Sequence, residues 1–258
     1  MKENGKAPHR HDISDNLWEK IKDLLPGAAG KQGRMAHDNR RFINAVSWII
    51  RTGVPWRDLP PEYGNWKNTH RHFCRWRDRD VWKTIASEVI GEVDTQWLMI
   101  DATYSKVHAD GCGAVGGNQA IGRTKGGFNT KVHLAIDKKG KPVRIIVSAG
   151  QEAACAYAPP LMAGLSVKVL LADRGYDVNH VVDTACAGGS KVVIPSKRSR
   201  KVVRTYDREQ YKKRHRIEHV FRWLKQWGGI ASRYAKRSDS FLAALYLRSI
   251  SLPFDDTP

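Results

Sequence analysis

The 258-residue chain is 41% hydrophobic and 27% charged, enough apolar sequence to bury a substantial core and too much for a disordered protein. Its 44 Lys and Arg against 26 Asp and Glu leave a net charge of +18, which attracts polyanions, and nucleic acid is the prevalent polyanion inside a cell. No long apolar run argues for a membrane role, and the polar N-terminus MKENGKAPHRHD lacks the apolar middle of a signal peptide, so a cytoplasmic, nucleoid-associated protein is expected.

Leu17, Trp18, Ile21, Leu24 and Leu25 recur at helical spacing between Ser14 and Pro26, which predicts a first helix over 13–25. A glycine-rich basic connector, GAAGKQGR, leads to a second helix over 38–51, stopped by Gly53 and Pro55. Two more helices, 66–77 and 80–91, complete an all-helical N-terminal domain over 1–92. Six of the nine Trp lie there among arginines. At helical spacing the Trp belong to a core, and the arginines are the better candidates for DNA.

From Gln96 the pattern changes to short runs rich in β-branched residues. WLMIDATYSKVH reads as a long strand, and 129–150 as a hairpin turning around Lys138 to Gly140. A helix over 153–165, a buried strand VKVLLAD, a helix over 178–187 and a strand KVVIPS follow. Strands first in a hairpin series and then alternating with helices imply an α/β domain with a mixed sheet over 93–258. The four cysteines are scattered without a C-x-x-C pair, so neither a disulfide framework nor a zinc site is expected. Gly111–Gly116 matches G-x-G-x-x-G, but no helix pattern follows it. It reads instead as a flexible loop, with Arg123 and Lys125 suited to a phosphate backbone.

The segment 191–225 carries thirteen basic and three acidic residues, +10 of the total charge. Within it, on a continuous helix, Tyr211, Arg214, Glu218 and Lys225 fall within roughly 60° of one another. Ile217, Val220, Trp223, Leu224 and Trp227 occupy the other side. Two apolar strand runs end on aspartates, Asp101 and Asp173. Converging with Glu218, they form a hard, oxygen-lined site suited to Mg²⁺ or Mn²⁺. Two such ions support in-line displacement at phosphorus without a Ser, Cys or His nucleophile, and no spacing here argues for a nucleophile triad.

These residues resemble the DDE transposases of bacterial insertion sequences, in the insertion-sequence-five family of the insertion-sequence-four superfamily. The resemblance rests on Y-x2-R-x3-E-x6-K at Tyr211, Arg214, Glu218 and Lys225, on DATYSKVH around Asp101 and on LLADRGYD around Asp173. WRDLP, AIGRTKGG and GIASRYAK extend it over about 17–248. The resemblance implies a ribonuclease H-like catalytic domain in which Asp101, Asp173 and Glu218 are catalytic and hold two Mg²⁺, with Mn²⁺ able to substitute. It also implies that Tyr211, Arg214 and Lys225 contact DNA; Arg222, in the same basic segment, is a further DNA-binding candidate. The reaction implied is cleavage at the element's terminal inverted repeats and joining to target DNA, by a homodimer on DNA. A nuclease that only hydrolyses, or a DNA-binding regulator without activity, are the alternatives. One departure lies after AGQ at 149–151, where Glu152 is the only nearby acidic residue.

Overall fold

Ser14, Asp38 and Asn65 each precede an amphipathic run, and in the computed structural model each caps a helix. Residues 9–28 and 38–251 are described; most of the glycine-rich connector lies outside them. Ser14 Oγ accepts from the Leu17 amide of α1 (Asp15–Ile21), which passes into a 3₁₀ turn over Lys22–Leu24 where a longer helix is expected. Asp38 Oδ1 accepts from Arg41 at the start of α2 (Asn39–Thr52), and Asn65 Oδ1 from Lys67 and Asn68 at the start of α3 (Trp66–Asp78). α4 (Val81–Ile90) closes the helical region. Trp76 and Trp82 are buried there against Phe42 and Phe73, the core role their spacing predicts.

β1 (Trp97–Val107) is the central strand of a mixed sheet. On one side it pairs antiparallel with β3 (Gly127–Ile136), which pairs with β4 (Pro142–Ala149) and, at its beginning, with the short β2 (Gly122–Thr124). The loop reading of Arg123 is thereby corrected: Arg123 stands on β2 opposite Phe128, with Lys125 in the tight turn that follows. On its other side β1 is shared. Trp97–Ile100 pair in parallel with β5 (Val169–Ala172), which carries β6 (Lys191–Val193), and Lys106–Val107 pair with β7 (Ser232–Arg233). Among the described residues no strand pairs with this edge between 101 and 105.

Helices cover both faces. Leu98, Ile100, Ala135 and Leu170 pack on α5 (Ala158–Met162), itself entered through a 3₁₀ turn at Ala154–Tyr157, and on α6 (Asn179–Ala187). The opposite face, with Met99, Val132, Leu134 and Leu171, meets α8 (His215–Leu224) through Ile217, Val220, Phe221 and Leu224. That core continues without a break through Phe241 and Leu245 of α10 (Ser238–Ser249) into the helices of 9–90. α9 (Gly228–Ala231) meets α2 backbone to backbone. A Cβ on Gly228 would lie 2.7 Å from the Thr52 carbonyl, one on Gly229 2.8 Å from that of Ile50, and one on Gly53 2.8 Å from Gly228.

The continuous helix expected over 211–225 is two helices, α7 (Arg208–Lys212) and α8, joined by a tight turn. Lys213 and Arg214 amides donate to carbonyls three residues back, Gln210 and Tyr211, and His215 Nδ1 donates to the Lys212 carbonyl. The turn lets α8 settle on the sheet with Arg214 at its edge.

Candidate active site

Two parallel strands bring the aspartates together. Ile100 pairs with Ala172 at the end of the β1–β5 ladder, where the strands lie about 4.8 Å apart, so Asp101 and Asp173 are the first residues beyond that last pair. Asp101 does not end its strand: β1 runs on to Val107, and the apolar run stops at Asp101 because the strand there leaves the cover of β5. With no strand on that side, the Ala102 amide turns to Asp101 Oδ1 at 2.8 Å. Asp173 caps the following 3₁₀ turn, its Oδ1 accepting from Gly175 at 2.9 Å.

Arg214 joins the third carboxylate to the first. Its Nη1 donates to Asp101 Oδ2 at 2.9 Å, and its Nη2 bonds Glu218 one turn along α8. Burial disfavours the Arg214 charge, but Asp101, Tyr211 and Glu218 outweigh it and hold the guanidinium above its ordinary value. Burial pushes the Asp101 carboxyl up to about 6; Asp173 adds to the rise, and the Ala102 amide and Arg214 oppose it. Lys225, the C-cap of α8, reaches back to β1, where its Nζ donates to Thr103 Oγ1 at 2.7 Å, and burial lowers its pKa.

The expected residues therefore divide. Asp101, Asp173, Arg214, Glu218 and Lys225 gather at the open edge of β1. Tyr211 lies beside Arg214, whose guanidinium carbon is 5.8 Å from its ring centre. Arg222 is exposed on α8, and Arg123 and Lys125 are exposed at the β2–β3 hairpin. Among the described residues no three His, Cys, Asp or Glu side chains close on a common point as metal ligands, because Arg214 stands between Asp101 and Glu218. The donor set nevertheless suits a hard cation. Two carboxylates follow the last β1–β5 pair, and the buried Tyr176 hydroxyl, which feels both, has no hydrogen-bond partner among the described residues. Thr103 and Tyr176 were not marked by spacing. Only the LLADRGYD string, four residues from Asp173 to Tyr176, hinted at the latter. Of the histidines, His133 is buried on the other face, its Nε2 2.8 Å from Ser148 Oγ and its ring stacked on Tyr157. Glu152, the acidic residue after AGQ, is taken by the Tyr157 hydroxyl.

The family described as "Transposase DDE domain" matches residues 94–252, well over half of the chain. The chain belongs to the DDE transposase family. Residues 13–86 match a second family, described as "Putative transposase of IS4/5 family". This transposase is 34% identical, over 46% of its length and 94% of the relative's, to a Brucella ovis protein named as a "Putative transposase for insertion sequence element IS6501". It is 35% identical, over 48% of its length and 94% of the relative's, to the "Uncharacterized protein y4sN" of Sinorhizobium fredii. In fold it is similar to a piggyBac transposase solved as a synaptic complex with hairpin DNA. That likeness has a TM-score of 0.51 at 10% identity and covers 91% of this chain and 68% of the other. The mixed α/β, ribonuclease H-like architecture behind a helical N-terminal region is thus that of a DNA transposase, an enzyme of DNA cleavage and transfer that works with divalent metal ions. None of its helices among the described residues is long and apolar enough to cross a membrane.

Proposed function

We propose that Asp101, Asp173 and Glu218 are the catalytic carboxylates of this transposase, holding two Mg²⁺, with Mn²⁺ able to substitute. The observation that carries the reading is the juxtaposition of Asp101 and Asp173 just beyond the last β1–β5 pair, with Asp101 linked by one guanidinium to Glu218. Divalent cations bound by these carboxylates supply the positive charge that acidifies an attacking water or hydroxyl and stabilises the leaving oxygen. The protein's part is to orient and to compensate charge. Arg214 neutralises Asp101 and Glu218 until it turns to a DNA phosphate, and Thr103 fixes Lys225 beside the same edge, where it meets the backbone. Tyr211, Arg222, Arg123 and Lys125 extend the contact along the DNA. The helical region over 1–92 serves DNA binding, the region over 93–258 serves the chemistry, and two copies hold the two ends of the element.

The test uses a plasmid carrying the inverted repeats that flank the gene. Asp101→Asn and Asp173→Asn are expected to slow Mg²⁺-dependent nicking by at least about 10³-fold, the equivalent of several kcal/mol of lost transition-state stabilisation. DNA affinity in EDTA should hold or rise, because each change removes a negative charge. Wild-type nicking by either variant removes that aspartate from the site. Pre-cut ends supplied with a target plasmid separate a transposase, which joins them, from a nuclease, which does not.

A further inference from the structure

Downstream of Asp173 the chain makes a second structure that the carboxylates do not require. Asp177 is almost wholly buried, 1% of its side chain exposed. Its Oδ2 accepts from the Lys197 amide at 2.8 Å and from Arg200 Nε at 2.7 Å, and its Oδ1 accepts from Arg204 Nη1 at 2.7 Å. Asn179 Oδ1 takes a second proton from each guanidinium, at 3.1 and 3.2 Å. Ser196 Oγ accepts from the Arg204 amide at 2.9 Å and closes the neck of the loop. Burial alone would raise the Asp177 carboxyl, but the Lys197 amide and Arg200 outweigh it and hold it below the ordinary carboxylate range.

Two of the five cations in KRSRKVVR are therefore consumed in pinning the loop. The tip keeps Lys197, Arg198 and Lys201, next to Val202 and Val203, which are 76% and 72% exposed. A loop folded only for its own stability buries such valines and has no use for the surplus charge. The tip also borders a shallow groove of about 480 Å³, lined by Lys197 and Lys201 from the loop and by Asp177 to His180 from the segment after Asp173. Cations flanking exposed apolar side chains suit a DNA groove, where charges meet phosphates and apolar groups lie against sugars or base edges.

We propose that the loop 197–203 grips the DNA backbone beside the active site through Lys197, Arg198 and Lys201, with Val202 and Val203 set into a groove, and that Asp177 is the positioning residue that fixes this grip to the Asp173 strand. The inference rests on the transposase reading and deepens it. The charge complementarity selects DNA as the occupant over a second copy of the chain.

The test measures binding of a fluorescein-labelled random-sequence duplex, in EDTA, across a salt series. Arg198→Ala with Lys201→Ala is expected to weaken binding and to reduce the slope of log K against log salt by about 1.8, two phosphate contacts' worth. An unchanged slope overturns the proposal. Asp177→Asn separates positioning from charge. It raises the net charge by one, so electrostatics alone tightens binding, whereas an unpinned loop weakens it; tighter binding overturns the positioning role. Should Asp177→Asn fail to fold by circular dichroism, the Arg198/Lys201 variant carries the test alone. Val202→Ser with Val203→Ser is expected to weaken DNA binding at constant slope. A change in sedimentation of the DNA-free protein by that variant assigns the valines to a second copy and overturns the DNA contact. Failure of the transposase reading itself has a different signature: the wild type neither nicks nor joins.

Discussion

His133 shows how a single side chain fixes a response to pH away from the carboxylates. Its imidazole lies fully buried between β1 and β4, one ring nitrogen on Ser148 and the other without a partner among the described residues. Burial, with Lys131 nearby, pushes its pKa down to about 4 from an ordinary 6.5. The folded state thus holds the neutral form, and the unfolded chain takes up a proton first as pH falls. Its contribution to stability is whole above pH 6.5 and is lost as pH drops through 4. Urea midpoints are expected to decline across that window, and His133→Phe should flatten the decline; an identical profile in the variant places the acid sensitivity elsewhere. Tyr211, Arg214, Glu218 and Lys225 carry a spacing that singles them out, whereas Asp177 has none. Its partners lie 20, 23 and 27 residues away and meet it only in the fold.

Among the elements, helix starts were legible because Ser14, Asp38 and Asn65 carry local capping chemistry, β1 because it opens on a short apolar run, and β3 and β4 because their residues alternate. The break between α7 and α8 was not, since helical periodicity continues across it. The turn answers to an ion pair between residues 113 apart in sequence. Nor was the contact between α2 and α9, which depends on glycines having no side chain. Gly53 adopts φ +75° against Gly228, while Gly164 adopts φ +72° with nothing within 4 Å. An alanine at either position bears the left-handed backbone cost, about 1–2 kcal/mol. Gly53→Ala must also displace backbone, which adds about 1–3 kcal/mol. Urea denaturation is expected to show Gly53→Ala clearly the more damaging; equal costs would mean that the α2–α9 contact yields.

At the scale of the molecule, the helices of 9–90 and one face of the sheet share the largest core. α10 packs on α2, α3, α4, α8 and β4 at once, with Phe241 and Leu245 wholly buried at the centre. Thermal unfolding followed by tryptophan fluorescence and by far-ultraviolet circular dichroism should therefore give one coincident transition; two separated transitions would require the helical region to stand alone. The same packing has a consequence for synthesis. Domains ordinarily fold from the N-terminus while the rest of the chain is still being made. Here the helices of 9–90 wait for α10, so a nascent chain halted before residue 238 lacks the centre of the core on which those helices pack.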